Sequence, residues 1–415
     1  WSGTMCLTEP QCGTDLGLIK TKAVKNTDGS YAVIGTKIFI SAGEHDLTSN
    51  ICHLVLARID DPSTPPGIKG ISLFIVPKFL PDTMVRNAAY CMRIEEKMGI
   101  HSNSTCEMQF ESAKGWLVGE AHKGMKAMFV MMNEARLGVG LQGLGLSEVA
   151  YQNAVAYALD RTQSQAIDQK SGESVKIIHH PDVRRELLSI RAAVEGGRML
   201  AYWVAMQLDI SQKHADEKER ARAKALVDLL TPIIKAHLTD NAVDNTNSAM
   251  QVFGGHGYIK EHGMEQYNRD ARITRIYEGT NGIQALDLLG RKVLQQNLLP
   301  HYLRQLERDL SAAPAFIAAP TRRAARLLVS ATRKLKFKMI LGKLRGNLAP
   351  PLRDMAGISV DYLRLLSLVS MGHMWAKMAA EAKARTKGDD FYALKLKTAR
   401  FYADKIMPQA AMLER

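Results

Sequence analysis

The hydrophobic period of this chain changes once, near Gly119, and that change limits what it can fold into. Before it, short β-branched runs at 31–40 (YAVIGTKIFI), 51–58 (ICHLVLAR) and 71–77 (ISLFIVP) alternate with turn-rich pieces such as NTDGS and DDPSTPPGIKG, the pattern of an antiparallel sheet domain. After it, apolar residues recur at helical spacing over 125–160, 182–208 and 217–249. A Gly-rich break at 254–257 precedes another helix beginning near Asn281. About four more helical stretches follow Gly290, punctuated by Pro300, Pro314, Pro320, Pro350 and Pro351. At 415 residues the chain exceeds one ordinary core. The expectation is an α+β, mostly α architecture: a β domain over 1–118, a helical bundle over 119–293 and a further helical domain over 294–415.

A hydrophobic share of 46% with 23% charged residues describes a globular protein. No apolar run reaches the ~20 residues that cross a bilayer. Residues 1–15 lack the basic start and apolar stretch of a signal peptide, and the chain opens on Trp1 rather than Met, so it reads as a fragment. Cys6, Cys12, Cys52, Cys91 and Cys106 show no CxxC pair and no zinc spacing. No metal is expected, and thiols so scattered suit a reducing compartment such as the cytoplasm. The net charge of +13 is unevenly placed, with 24 Lys/Arg against 9 Asp/Glu in residues 291–415. Arg322, Arg323, Arg326, Arg333, Lys334, Lys336, Lys338, Lys343 and Arg345 occur with no acid between Leu310 and Arg353. Such a run is a solvated helical surface, or else a contact for an anionic membrane or nucleic acid.

Four motifs invite chemical readings. Gly138, Gly140 and Gly143 satisfy GxGxxG, but the preceding AMFVMMNEARL is helical in pattern. A dinucleotide fingerprint must leave a strand, so these glycines are read as allowing close helix packing. QVFGGHGY at 251–258 is a loop between helices or a close approach of backbone to a ligand. In RITRIYEGTNGIQ at 272–284 the carboxylate of Glu278 follows Ile276 and Tyr277 and precedes a Thr-Asn helix start. Apolar surroundings would raise its pKa towards that of a useful base; the plain alternative is a solvated Glu at a helix N-terminus. LTEPQCGTD at 7–15 offers hydroxyls in a tight loop, or is a turn before the first strands.

Taken in order, these motifs, with GTKIFISAG at 35–43, KMGIHSNSTCEMQFE at 97–111, NEARLGVGLQGL at 133–144 and YALDRTQS at 157–164, resemble the acyl-CoA dehydrogenase family continuously over residues 1 to about 292. The extended polar loop at 163–172, the C-terminal helical extension and Pro181 in HHPDV look nearest to the branch containing 3-methylmercaptopropionyl-CoA dehydrogenase.

The resemblance implies a flavoprotein using FAD on an acyl-CoA substrate, with Glu278 removing the α-proton while the β-hydrogen leaves as hydride to flavin N5. By the same resemblance Leu7, Thr8, Phe39 and Ser41 contact the flavin ring. Arg161, Gln251 and Gly255 serve a flavin shared with a neighbouring subunit, and Thr280 its pyrophosphate. Thr14 and Arg136 touch coenzyme A, with Tyr277 and Gly279 flanking the substrate. It further implies a homodimer or homotetramer, an electron-transfer flavoprotein as acceptor, and an N-terminal helical domain ahead of Trp1. Two relatives within the fold stand as alternatives: an alkylation-response flavoprotein binding DNA through the basic C-terminal domain, and an acyl-CoA oxidase.

Overall fold

Alternate residues of β3 (Tyr31–Ser41) and β7 (Thr105–Leu117) are buried, as expected for strands with one face on a core. These two strands pair antiparallel within a seven-stranded sheet that also holds β1 (Ser2–Cys6), β2 (Lys22–Lys25), β4 (Ile51–Ile59), β5 (Ile71–Pro77) and β6 (Ala89–Ile94). Hydrogen bonds run β4–β2–β3–β7–β5 and return from β5 to β4, so the sheet closes on itself, with β1 and β6 attached outside that circuit. Val33, Val55, Phe74, Val76, Met108 and Phe110 fill the interior. The sheet is mixed rather than purely antiparallel, because β4 runs parallel to both β1 and β2. The 7–21 and 26–50 segments return the chain to the same end, and two-strand turn signals do not reveal such crossovers.

The computed structural model of the chain describes residues 1–168, 172–385 and 390–413. Parts of the expected polar loop (169–171) and of the expected C-terminal domain (386–389, 414–415) lie outside the described residues. The chain forms two compact units, residues 1–134 and 135–415.

The second unit is helical. Helix α1 (Gly124–Asp160) brings its Ala135–Asp160 portion into it. There follow α2 (Pro181–Lys213), α3 (Glu217–Val252), a single turn α4 (Gly255–Tyr258), α5 (Met264–Arg272), α6 (Asn281–Leu286), α7 (Leu299–Ser311), α8 (Ala315–Leu344), α9 (Ala349–Ala384) and α10 (Asp390–Phe401). One continuous apolar core joins them, including Leu230, Ile234, Leu288, Leu328, Leu366 and Trp375. The GxGxxG stretch lies inside α1, where Gly140 is buried against α3. A Cβ on Gly140 would come within 2.5 Å of Ile234 Cγ2 and 2.9 Å of the Ile234 carbonyl. Gly140 and Gly143 let two helix backbones approach, whereas Gly138 faces open space and plays no part in that packing. Pro300 and Pro350 sit in the first turns of α7 and α9, as their fixed φ favours. Pro320 is different: it stands within α8 rather than ending a helix. That position forfeits one hydrogen bond, to the Phe316 carbonyl, and Pro314 already marks the helix start.

The basic run is partly neutralised inside this unit. Arg322 pairs with Glu307 at 2.9 Å and Lys338 with Asp354 at 2.7 Å, acids supplied by the neighbouring helices. Among the described residues no helix is long and apolar enough to cross a membrane.

Candidate active site

In the first unit, a buried ion pair fixes the loop carrying LTEPQCGTD. Glu9 Oε1 lies 2.8 Å from Lys37 Nζ, and both side chains are almost wholly buried. Glu9 also accepts from Thr21 Oγ1 (2.6 Å), Thr21 N (3.1 Å) and Lys20 N (2.8 Å). Burial pushes the carboxyl up, but Lys37 and these donors prevail and hold it at about 2. Lys37 Nζ further donates to the Leu7 carbonyl at 3.0 Å, and the Ile38 amide donates to the Thr8 carbonyl at 2.9 Å. Leu7 and Thr8 are thereby tied to the strand that carries Phe39 and Ser41. Between Lys37 and Ile40 the β3–β7 register slips, as at a bulge that re-aims a side chain. Phe39 there takes a φ of 60° and is 60% exposed, with Ser41 exposed beside it. Thr14 is exposed in the same unit.

In the second unit, Glu278 occupies a turn between α5 and α6. Its φ is 56° and that of the following Gly279 is 82°. A left-handed conformation costs a residue with a Cβ roughly 1–2 kcal/mol, so the surroundings must hold it. Gln284, itself fully buried, donates through Nε2 to the carbonyls of Glu278 (3.3 Å) and Gly279 (3.4 Å). Thr280 caps α6, accepting from the Ile283 amide. Asn281 Nδ2 bonds the Ala236 carbonyl, Thr239 Oγ1 and Asp240 Oδ1 at 2.9–3.1 Å. The Tyr277 hydroxyl donates to Gln142 Oε1 on α1.

The Glu278 carboxyl is half-buried, and its Oε2 has no hydrogen-bond partner among the described residues. Burial raises its pKa, and the cations Arg136 and Lys235 pull it back without cancelling the rise. A carboxylate so placed is short of stabilising donors, so it is disposed to take a proton. Arg136 is 8% exposed, and the charges it feels are those of Asp287, Arg291 and Glu278.

The remaining expected residues form a separate cluster. Tyr157 of the YALDR segment stacks on Phe253 at 4.1 Å between centroids and bonds His256 Nδ1 at 2.8 Å. The end of α1, with exposed Arg161, is thus joined to the 251–258 turn, where Gln251 and Gly255 are exposed. Gly255 has open space where a Cβ would project. Along α3, Gln251 lies sixteen residues past Lys235, about 24 Å at 1.5 Å per residue. The structure therefore brings Glu278, Tyr277, Gly279, Thr280 and Arg136 together, and keeps Arg161, Gln251 and Gly255 well away from them.

Sequence reasoning missed Lys235, Gln284, Gln142 and Asn281. Lys235 left a signal, a lone cation after the apolar LLTPII run; the three amides lie inside quoted motifs, Asn281 as a helix start, but their bonds to the turn left no mark there.

Three family models match successive stretches of the chain. The acyl-CoA dehydrogenase middle domain covers residues 4–113, the acyl-CoA dehydrogenase C-terminal domain 122–294, and the acetyl-CoA dehydrogenase C-terminal-like domain 306–415. The chain is 43% identical to 3-methylmercaptopropionyl-CoA dehydrogenase of Ruegeria pomeroyi, over 99% of its own length and 70% of that protein. It is 35% identical to the broad-specificity linear acyl-CoA dehydrogenase FadE5 of Mycobacterium tuberculosis, over 98% and 70%. An acyl-CoA dehydrogenase of Bacillus anthracis solved in complex with FAD has a TM-score of 0.76 at 22% identity, covering 99% of this chain and 68% of that one.

Proposed function

The chain belongs to the acyl-CoA dehydrogenase family, oxidoreductases acting on CH–CH groups, and on that premise we propose that it performs FAD-dependent α,β-dehydrogenation of an acyl-CoA thioester with Glu278 as base. The observation that carries this reading is the Glu278 carboxyl itself: half-buried, raised in pKa by burial, and with Oε2 unbonded. A base must lose existing stabilisation little when it captures a proton, and an unbonded oxygen loses none.

The residues present fit FAD. The exposed Phe39 ring offers a flat apolar face, and Thr8 and Ser41 supply hydroxyls on the adjoining strand and loop. When bound, FAD supplies the acceptor for the hydride leaving the β-carbon. In this reading Leu7, Thr8, Phe39 and Ser41 hold the ring, Thr14 and Arg136 contact coenzyme A, and Tyr277 and Gly279 border the reacting carbons. The α-proton passes to Glu278 Oε2, and exclusion of water around it keeps that transfer directed.

The roughly 24 Å along α3 from Lys235, which bonds the Gly279 carbonyl of the Glu278 turn, to Gln251 supports a second part of the reading. Arg161, Gln251 and Gly255 are too far from Glu278 in one chain to line the same pocket. They are assigned to the flavin of a neighbouring copy, whereas Thr280, two residues from Glu278, is assigned to the pyrophosphate of the flavin on the Glu278 side. A homo-oligomer follows, with the chain divided into a middle β domain (1–118), a flavin-bearing four-helix bundle (119–293) and a basic helical domain (294–415). An electron-transfer flavoprotein is the acceptor in this scheme.

The likeness to 3-methylmercaptopropionyl-CoA dehydrogenase puts short thioether acyl-CoAs first among substrates, and the likeness to a broad-specificity linear acyl-CoA dehydrogenase adds linear acyl-CoAs. The test is anaerobic bleaching of the bound flavin by a panel of acyl-CoAs. Wild type should bleach with at least one of them, and Glu278→Gln should bind flavin normally yet not bleach. A Glu278→Gln variant that bleaches at the wild-type rate would remove the base from the scheme.

A further inference from the structure

A fully buried lysine lies under the Glu278 turn, on a helix that carries none of the residues assigned above to that turn. Lys235 is in the middle of α3, with relative exposure of 0%. Its Nζ donates to the Gly279 carbonyl at 2.8 Å and to Asn281 Oδ1 at 2.8 Å. Those two acceptors bracket the turn on its C-terminal side. Gly279 follows the strained Glu278 directly, and Asn281 opens α6 and is itself anchored to α3 by three hydrogen bonds through its Nδ2.

Burying an ammonium is costly. An uncharged donor could satisfy the Gly279 carbonyl, which already accepts from Gln284. The charge needs its own account, and the geometry gives one. The groups that act on Lys235 electrostatically are Asp240 on its own helix, Glu278 in the turn, and Arg136 on α1. Of these three, Arg136 also acts on the Glu278 carboxyl, and Lys235 is itself the other cation that does. Burial brings the ammonium down to about 8, with Arg136 adding to that and the two acids opposing it, so it remains largely cationic at neutral pH.

We propose that Lys235 is the positioning residue of this site: its two hydrogen bonds clamp the left-handed Glu278–Gly279 turn, and its charge sets the pH at which Glu278 can act as base. The positioning of a base rests on the reading of Glu278 given above, whereas the clamp itself stands on the hydrogen bonds alone. Misplacement of a reacting group by about 1 Å can cost on the order of 100-fold in rate. A cation removed from beside a carboxylate raises that carboxylate's pKa.

The experiment compares Lys235→Met, which removes donor and charge, with Lys235→Gln, which keeps a neutral donor. Two readouts are taken on the FAD-loaded protein: amide hydrogen exchange over residues 276–284, and the pH profile of acyl-CoA-driven flavin bleaching. Lys235→Met should speed exchange in that segment and slow bleaching by about 10- to 100-fold, with the acid limb moved to higher pH. Lys235→Gln should recover most of the exchange protection while its acid limb stays displaced upward. Should Lys235→Met fail to fold by circular dichroism, the displaced limb of Lys235→Gln carries the test. A folded Lys235→Met with wild-type exchange, or a Lys235→Gln limb at the wild-type pH, overturns the proposal. Exchange does not depend on turnover, so a chain that bleaches with no acyl-CoA yet shows the exchange effect would refute the dehydrogenase reading and leave the clamp standing.

Discussion

Lys37 and Glu9 form an ion pair at 2.8 Å with the lysine fully buried and the glutamate 3% exposed. The pair joins two segments read separately from sequence, the 7–15 loop and the 35–43 strand end. Removing one partner strands a buried charge, which typically costs about 3–5 kcal/mol. Lys37→Met should therefore destabilise the first unit by roughly that amount in urea unfolding, and Lys37→Met combined with Glu9→Gln by clearly less. The pH dependence follows from the depressed Glu9 pKa of about 2. In the unfolded chain the group titrates near its ordinary value, so its contribution is complete above that value. It is lost as pH falls towards 2, and Glu9→Gln should flatten that part of the acid-unfolding curve.

Two glycines of one motif should respond in opposite directions. Gly140→Ala forces a methyl against Ile234 Cγ2 and its carbonyl, and overpacking of that kind costs about 1–3 kcal/mol. Gly138, two residues earlier, is exposed and meets nothing within 4 Å. Gly138→Ala should gain about 0.5–1 kcal/mol from helix propensity alone. Urea midpoints of the two variants, measured side by side, check the sign of each.

That contrast marks where the sequence was legible. The switch of period near Gly119 and the helical context of GxGxxG are local, and both elements stand where the pattern puts them. So does the Thr280 start of α6, a capping residue before a helical run. The parallel pairings of β4 were not legible, because they depend on long returns rather than on turns. Pro320 misled because a proline near a helix start costs only one bond. In the candidate site, Glu278 was singled out by its apolar neighbours in sequence. Lys235, 43 residues earlier, and Gln142 on α1 reach the same turn only through tertiary packing, which leaves no periodic trace.

The Glu278 turn should be stabilised by a change that ends its use. At a φ of 56° the backbone is strained for any residue with a Cβ. Glu278→Ala removes the buried carboxylate and keeps the strain, while Glu278→Gly removes both. The glycine variant should be the more stable of the two by about 1 kcal/mol, and neither should bleach flavin with acyl-CoA. Equal unfolding midpoints for the two would mean that the turn stores no backbone strain.

A second buried network, remote in sequence from the turn, ties α7 to α9. Asp309 Oδ2 accepts from His373 Nε2 at 2.7 Å and lies 3.2 Å from Lys377 Nζ. His373 Nδ1 faces the Tyr302 hydroxyl at 3.3 Å. Burial depresses the imidazole despite the nearby carboxylate, so His373 sits neutral, donating to Asp309 and accepting from Tyr302. Burial pushes Asp309 up, but its hydrogen bonds from His373 and Gln305 and the charge of Lys377 hold it well below the usual carboxylate range. Both groups bind protons more readily in the unfolded chain than in the folded one, so both subtract stability as pH falls. The loss begins for His373 as pH drops below its ordinary value of 6.5 and continues for Asp309 in the acid range. His373→Gln should keep a donor for Asp309 and remove the first of these two losses. Its unfolding free energy should then fall less steeply than the wild type's between pH 7 and 5, where His53 and His237, also depressed by burial, keep their share of the slope; an unchanged slope in that variant would place the His373 contribution elsewhere.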